Sequence, residues 1–343
     1  MTETIPAFAS RLLNWWQASG RHDLPWQQDR TPYRVWVSEI MLQQTQVSTV
    51  IDYFNRFMVR FPNLETLAHA ETDEVLAHWS GLGYYARARN LHACAKRCMA
   101  EHAGTLPNDA ATLETMPGIG RSTANAIVAQ AHNQRAVILD GNVKRVLARH
   151  ELIEGFTGQA SVQNLLWIAA DRLTPKESAR DYTQAIMDLG AMICTRTKPQ
   201  CSACPVHQDC QAFLLGRATE LPTPRPKKAK KEMALHFFIY RNEQGKVLLQ
   251  RRPNQGIWGG LWCLPHDSVG QQLTLSHPGS SIEPITHLLT HRRLLLTFEY
   301  WVVAATDLPD SGHLAWLGPQ EALKLGLPKP IETVIAQLCS IHS

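Results

Sequence analysis

The chain has 343 residues, of which 44% are hydrophobic and 19% charged, and its net charge is +4. That length calls for two or perhaps three domains, and the apolar content is ample for real cores. The low charged fraction excludes a disordered or tail-dominated protein, while mild basicity permits a nucleic-acid partner without establishing one.

The N-terminus, MTETIPAFASRLLNWW, has no charged region followed by a long apolar stretch, so it does not read as a signal peptide. No segment reaches the length of a transmembrane helix, so no membrane partner is expected. Residues 1 to about 215 read as helix after helix. In segment 35–58, Ile40, Val47, Val50, Ile51 and Phe54 recur at the three-and-four spacing of an amphipathic helix. Glu39, Gln43 and Gln46 fall at i, i+4 and i+7, which predicts one polar face on that helix. No other charge occurs between Arg34 and Asp52. A carboxylate in such surroundings is desolvated, which raises its pKa and suits a general acid near neutral pH. The competing reading is a surface glutamate on a solvated face.

Further helices are expected around 73–80, 85–102, 109–115, 121–132, 143–150 and 160–173, with breaks at Gly81–Gly83, Pro107, Pro117–Gly120 and Asp140–Gly141. GLGYYARARN combines a glycine turn with tyrosines that can stack on bases and arginines that meet phosphate, so Leu82 and Tyr84 are candidate DNA contacts. A helix start with core tyrosines fits that segment equally. In MPGIGRSTANAI, Gly118 and Gly120 let backbone N–H groups converge ahead of a helix N-terminus, the way a helix-hairpin-helix grips phosphate. Such turns also merely join helices. In LDGNVKRVLAR, Asp140 stands where it can cap a helix, fixed and ionised, with Asn142 and Lys144 in the same turn.

Cys194, Cys201, Cys204 and Cys210 follow the spacing C-x6-C-x2-C-x5-C, which places four of the eight cysteines within seventeen residues. Four thiolates this close can surround one metal centre. A zinc site favours two close cysteine pairs, and only one is present. Iron–sulfur clusters tolerate uneven spacing. Arg196 and Lys198 make the loop basic. Cys94, Cys98, Cys263 and Cys339 form no disulfide-like framework, which favours a reducing, cytoplasmic setting. Residues 219–232 hold three prolines and five basic residues and read as a linker. Beyond it, LHFFIYRNEQGKVLLQRR predicts strand, turn and strand with the loop at Asn242 to Gly245. LLLTFEYWVVAAT predicts another strand and ETVIAQLCSI a closing helix.

Together, VSEIMLQQTQV, GLGYYARARNL, MPGIGRSTA, LDGNVKRVLAR and MDLGAMICT with its four-cysteine loop resemble the adenine DNA glycosylase (MutY) family of the helix-hairpin-helix superfamily. The resemblance runs from about residue 10 to 214. It implies an all-α helix-hairpin-helix glycosylase core with a 4Fe–4S loop, followed by an α+β Nudix-like domain. The implied boundaries are a six-helix barrel domain at 22–132, a cluster domain of 1–21 plus 133–214, a linker at 215–232 and the Nudix-like domain at 233–343. The four cysteines would hold a 4Fe–4S cluster, and the partner would be double-stranded DNA with A:8-oxoG or A:G mispairs. The implied protein is monomeric and cytoplasmic, at the bacterial nucleoid.

By the same resemblance, Trp26, Leu42 and Gln184 line the adenine pocket, while Gln44 and Tyr84 enter the space around the lesion. Glu39 protonates adenine N7 and Asp140 stabilises the resulting cation. Bifunctional relatives carry a lysine in the hairpin that forms a Schiff base. Ser122 stands there and cannot, so a monofunctional enzyme is expected, with Lys144 nearby. An endonuclease III-type glycosylase/lyase, a non-catalytic iron–sulfur redox sensor and a zinc scaffold are the alternatives. The Nudix-like domain lacks the acidic REXXEE box, with only Asp267 and Glu283 in 259–283, so it is expected to be catalytically silent. The family's recognition loop often reads Phe-Ser-His, and the corresponding stretch here is Leu289-Thr290-His291: Thr290 keeps a hydroxyl for the damaged base and His291 is retained, while the phenylalanine of the stacking or wedge contact is missing.

Overall fold

The computed structural model describes residues 6–225, 231–266, 273–278, 282–289, 292–303 and 312–340. The chain divides into two compact units, Met1–Ala68 with Ala93–Lys227 and His69–His92 with Lys228–Ser343.

The first unit is helical. Its elements are α1 (Ala7–Ser19), α2 (Pro25–Gln28), α3 (Pro32–Leu42), α4 (Val47–Arg60) and most of α5 (Leu64–His69). After α6 (Thr72–His78) and the first half of α7 (Ala86–Glu101), which belong to the other unit, come α8 (Ala110–Glu114), α9 (Arg121–His132) and α10 (Gly141–His150). The series ends with α11 (Ala160–Leu173), α12 (Ala179–Asp188) and α13 (Gln211–Leu214). Segment 35–58 is two helices rather than one. α3 starts at Pro32, pre-set for a first turn, with Thr31 accepting from the Arg34 N–H. It stops where Gln44 takes φ +58°, a left-handed conformation. Glu39 and Gln43 therefore belong to α3 and its cap, whereas Gln46 caps α4, and the predicted three-residue polar face does not exist. One apolar core gathers Phe8, Leu12 and Trp16 of α1 with Val143, Val146 and Leu147 of α10 and Tyr182 and Ile186 of α12.

In the second unit, β1 (Lys231–Asn242) pairs in parallel with β6 (Arg292–Val303) and antiparallel with β2 (Val247–Arg251). With β3 (Trp262–Cys263), β4 (Leu275–Pro278), β5 (Ile285–Leu288) and β7 (Leu314–Leu317) this makes a seven-stranded mixed sheet. The predicted hairpin over Asn242 to Gly245 forms, and β1 begins at Lys231, inside the expected linker. Residues 304–306 of the predicted LLLTFEYWVVAAT strand lie outside the described residues. α14 (Pro319–Ala322) and α15 (Lys329–Ser340) follow; Ile331, Val334, Ile335 and Leu338 of α15 pack on Phe237, Ile239 and Leu249.

Segment 69–92 is fastened into this unit by specific bonds. Asp73 accepts from Arg251 Nη2 at 2.7 Å and from Trp262 Nε1 at 3.0 Å. Tyr85 donates to the Leu327 carbonyl at 3.1 Å, and Arg89 donates to the Gly259 carbonyl. Buried Leu76 lies so close to Gly326 that a Cβ there would stand 2.7 Å from the Leu76 Cβ.

Candidate active site

Within the helical unit, a cavity of about 270 Å³ opens between α2, α3, α9, α10 and α12. Its wall carries Trp26, Glu39, Leu42, Gln43, Ser122, Asp140, Asn142 and Gln184, all singled out from sequence. Arg21, Leu24, Thr123 and Met187 also line it. A volume of that order accommodates a flat heterocycle, and Trp26 and Leu42 supply apolar surface while the amides and carboxylates supply direction.

Glu39 reaches the cavity from the middle of α3, where Val35, Trp36, Val37, Ser38, Ile40 and Met41 are buried around it. Its Oε1 accepts from Gln130 Nε2 at 2.7 Å. Burial, reinforced by the charge of Asp140, pushes the carboxyl up to about 7, against the opposing pull of the Gln130 hydrogen bond. Glu39 is thus poised to exchange a proton near neutrality.

Asp140 caps α10, with Oδ1 accepting from the Val143 N–H at 2.8 Å. Burial holds its carboxyl above the usual carboxylate range as well, although backbone N–H groups of Val143 and Asn142 and the charges of Arg145 and Lys144 offset part of that rise. Helix-start donors and two cations favour the anion here. The two acids share a cavity yet have different surroundings: Glu39 leans on a neutral amide, Asp140 on a helix N-terminus and cationic neighbours. Such unequal environments separate an acid from an anion.

The floor is held by bonds between distant segments. Gln184 Nε2 donates to Asp188 Oδ1 at 2.8 Å, so its carbonyl oxygen is left for the cavity. Asp188, fully buried, also accepts from Trp16 Nε1 and from the backbone and guanidinium of Arg21. Ser122 Oγ accepts from the Leu139 N–H at 2.9 Å and ties α9 to the segment that leads into Asp140. Gly190, in the π-helical turn Leu189–Ile193, faces Asn142, where a Cβ would meet the Asn142 Cβ at 2.7 Å. Arg21, Gln130 and Asp188 were not singled out from sequence. The four-residue step from Gln184 to Asp188 was the available signal for one of them; the others come from remote segments.

The remaining candidates do not line this cavity. Gly118 takes φ +78° and Gly120 caps α9, both exposed, as a phosphate-gripping turn requires. Gln44 is exposed in its left-handed turn, and Lys144 lies on the first turn of α10. Tyr84, at φ +49°, is 44% exposed, whereas Leu82 beside it is buried at 6%. Leu289 packs partly buried against the core of its unit, while Thr290 and His291 lie outside the described residues.

Cys194, Cys201, Cys204 and Cys210 line a second, much smaller cavity of about 20 Å³, with Val146, Arg149, Leu189 and Val206. Burial raises the thiols of Cys201, Cys204 and Cys210, that of Cys204 to about 12, and neighbouring thiolates raise them further. Thiols this crowded ionise only when a cation replaces their protons. Arg149, 2% exposed, donates to Cys194 Sγ at 3.2 Å and to the carbonyls of Thr195, Arg196 and Leu221. Four thiols around one small, largely apolar cavity bordered by a guanidinium fit a thiolate-ligated iron–sulfur group. Among the described residues, no three His, Cys, Asp or Glu side chains are placed to hold a single metal ion.

A helix-hairpin-helix turn, two unlike carboxylates on one base-sized cavity and a Nudix-like sheet define a DNA base-excision glycosylase with an appended domain. Residues 37–170 match the HhH-GPD superfamily of base excision DNA repair proteins, and residues 236–337 match the NUDIX domain. An adenine DNA glycosylase of Buchnera aphidicola is 34% identical over 98% of this chain and 97% of its own length. That of Mus musculus is 45% identical over 91% of this chain and 74% of its own length. The solved structure of a thermostable thymine-DNA glycosylase superposes with a TM-score of 0.54 at 27% identity, covering 61% of this chain and 95% of that one. An endonuclease III–DNA complex shares the fold at a TM-score of 0.52 and 20% identity, over 61% and 94%. The chain belongs to the adenine DNA glycosylase family. It is a base-excision repair DNA glycosylase, a hydrolase of N-glycosyl bonds. No helix among the described residues is long and apolar enough to cross a membrane.

Proposed function

We propose that this enzyme removes adenine mispaired with 8-oxoguanine or guanine and leaves an abasic site with the strand intact. The observation that carries the reading is the pair Glu39 and Asp140 on one cavity wall, one against a neutral amide and the other against helix-start N–H groups. The adenine nucleotide leaves the stack and its base enters the cavity, beside Trp26 and Leu42. The Gln184 carbonyl oxygen suits the exocyclic amine, a donor. Protonated Glu39 gives its proton to N7 as the C–N bond breaks. The departing base takes the bonding pair, and the sugar becomes an oxocarbenium-like cation beside the Asp140 carboxylate. Glu39, now ionised, takes a proton from the water that adds to the anomeric carbon.

Cys194, Cys201, Cys204 and Cys210 would hold a 4Fe–4S cluster, which when bound supplies a cross-link to the basic loop of Arg196 and Lys198 and takes no part in the proton transfers. We assign reading of the 8-oxoguanine strand to the Nudix-like unit, without hydrolysis of its own, and action as a monomer at the nucleoid. The test is an excision assay on duplexes containing A:8-oxoG, A:G and A:T, each run with and without alkali. Adenine release from the first two, with strand breaks only after alkali, is the expected result. Breaks before alkali would overturn the monofunctional assignment, and equal release from A:T would overturn the mispair preference.

A further inference from the structure

Gln130 stands out as a buried amide aimed at an acid. It sits in the last turn of α9, is 2% exposed, and its Nε2 lies 2.7 Å from Glu39 Oε1. The turn that carries it is fixed from behind. Arg180 Nε donates to the backbone carbonyl of Gln130 at 2.8 Å, Arg180 Nη2 to the backbone carbonyl of Ala131 at 3.1 Å, and the Arg180 N–H to Asn133 Oδ1 at 3.0 Å. Asn133 ends the helix in the left-handed conformation. The backbone beneath the amide is therefore fixed, the side chain is buried, and of the amide's two ends only the nitrogen can serve an ionised carboxylate.

We propose that Gln130 is a positioning residue for Glu39: its amide takes Oε1, so that Oε2 is the oxygen that carries the proton into the cavity. The inference rests on the reading of Glu39 as the acid. An amide suits this place better than a cation. Lysine or arginine at 2.7 Å would hold Glu39 ionised at neutral pH and abolish the acid, while a hydrocarbon would leave Oε1 unsatisfied. Of the groups around Glu39, Asp140 raises its proton affinity and Gln130 lowers it. Arg21 lines the same cavity but is engaged by Asp188. α2 carries no charge; the charged side chains on α4 are Asp52, Arg56 and Arg60, and those at the ends of α9 are Arg121 and His132.

The direction of the effect follows. The amide stabilises the carboxylate form, so removing it makes Glu39 hold its proton to higher pH. The protonated form is the active one, and single-turnover excision on an A:8-oxoG duplex falls as pH rises through that ionisation. In Gln130→Met, similar in volume and apolar, this alkaline limb should move up by about one pH unit. Above the limb the variant then outpaces the parent by up to roughly tenfold, a gain that a packing defect cannot give. Gln130→Asn, too short to reach, should behave the same way and serves if the Met variant folds poorly. Gln130→Met in the Glu39→Gln background should show no displaced limb.

A second readout needs no chemistry. The stability difference between parent and Gln130→Met should widen as pH rises through the Glu39 ionisation and stay flat in the Glu39→Gln background. A limb present in the parent and unmoved in both variants, with a flat stability difference, overturns the role of Gln130 alone. Widening stability without any alkaline limb in the parent's excision keeps the Gln130–Glu39 coupling but overturns Glu39 as the acid.

Discussion

The two cavities of the helical unit share the helix α10 and differ in what fills them. Asp140 caps one end of that helix beside the open cavity, and Arg149 at the other end borders the cysteine cavity. At the Asp140 end, volume is left open, and burial is the largest influence on both acids, with their different partners modifying it. At the Arg149 end, a guanidinium satisfies three carbonyls and one sulfur and little volume remains. Open space with under-satisfied acids suits chemistry, while closed space with saturated bonding suits scaffold. Variants at the first end should therefore change rate before stability, and variants at the second end the reverse.

The largest effect belongs to the acids. Asp140→Asn keeps an N-cap side chain that can still accept from Val143, so folding and DNA binding should survive. Removing the anion, or the proton donor in Glu39→Gln, should cost about 10³-fold or more in single-turnover excision. A variant of either kind that turns over within tenfold of the parent would mean that the open cavity is not where the bond breaks.

Next comes the closed end. Arg149→Met strips the hydrogen bonds from four acceptors and should cost about 3 kcal/mol in unfolding free energy. Cys201→Ser should lower bound iron and DNA affinity together. In both, excision per correctly folded, DNA-bound molecule should stay near the parent value. Normal iron content, stability and DNA binding in Cys201→Ser would refute the scaffold reading of that cavity.

Glu39 tests the contrast through stability. Its carboxyl titrates near 4.5 when unfolded and near 7 when folded. Below pH 4.5 both states hold the proton and nothing is lost. From 4.5 to about 7 the unfolded chain releases its proton first, so stability falls as pH rises, by roughly 3 kcal/mol at most. Glu39→Gln removes that loss. Denaturant titrations should show it more stable than the parent at pH 8 and nearly equal at pH 4.5. Equal stability at both values would mean that Glu39 is well solvated.

Much of this was legible in the sequence, because the signals were local. Asp140 before a helix, the Gly118–Gly120 turn and the clustered cysteines each declare themselves within a few residues, and most predicted helices stand within two residues of their places. The single helix over 35–58 failed because apolar spacing continues in phase through the turn, while the break depends on the left-handed conformation of Gln44, which carries no glycine or proline. Gln130 and Arg21 were invisible because their partners lie 91 and 167 residues away. Segment 69–92 reads as one more piece of a helical run, yet its bonds go to residues 251–262 and 326–332. Cutting the chain after residue 225 therefore removes the partners of Asp73, Leu76 and Tyr85 as well as the Nudix-like sheet. A truncated protein should lose stability along with the proposed preference for 8-oxoguanine over guanine, and Asp73→Ala in the full chain separates the two effects.

Ser122 carries the smallest effect, because it stands between rate and scaffold. Its hydroxyl accepts from the Leu139 N–H and so holds the backbone one residue ahead of Asp140. Ser122→Ala leaves that donor unpaired in a partly buried place and should cost about 1 kcal/mol in stability. Because Val143 still fixes the Asp140 side chain, the loss in excision rate should be under about tenfold. A rate loss as large as that of Asp140→Asn would mean that the hydroxyl itself touches the reacting sugar. Unchanged stability with unchanged rate would mean that water replaces it, as the open cavity on that side permits.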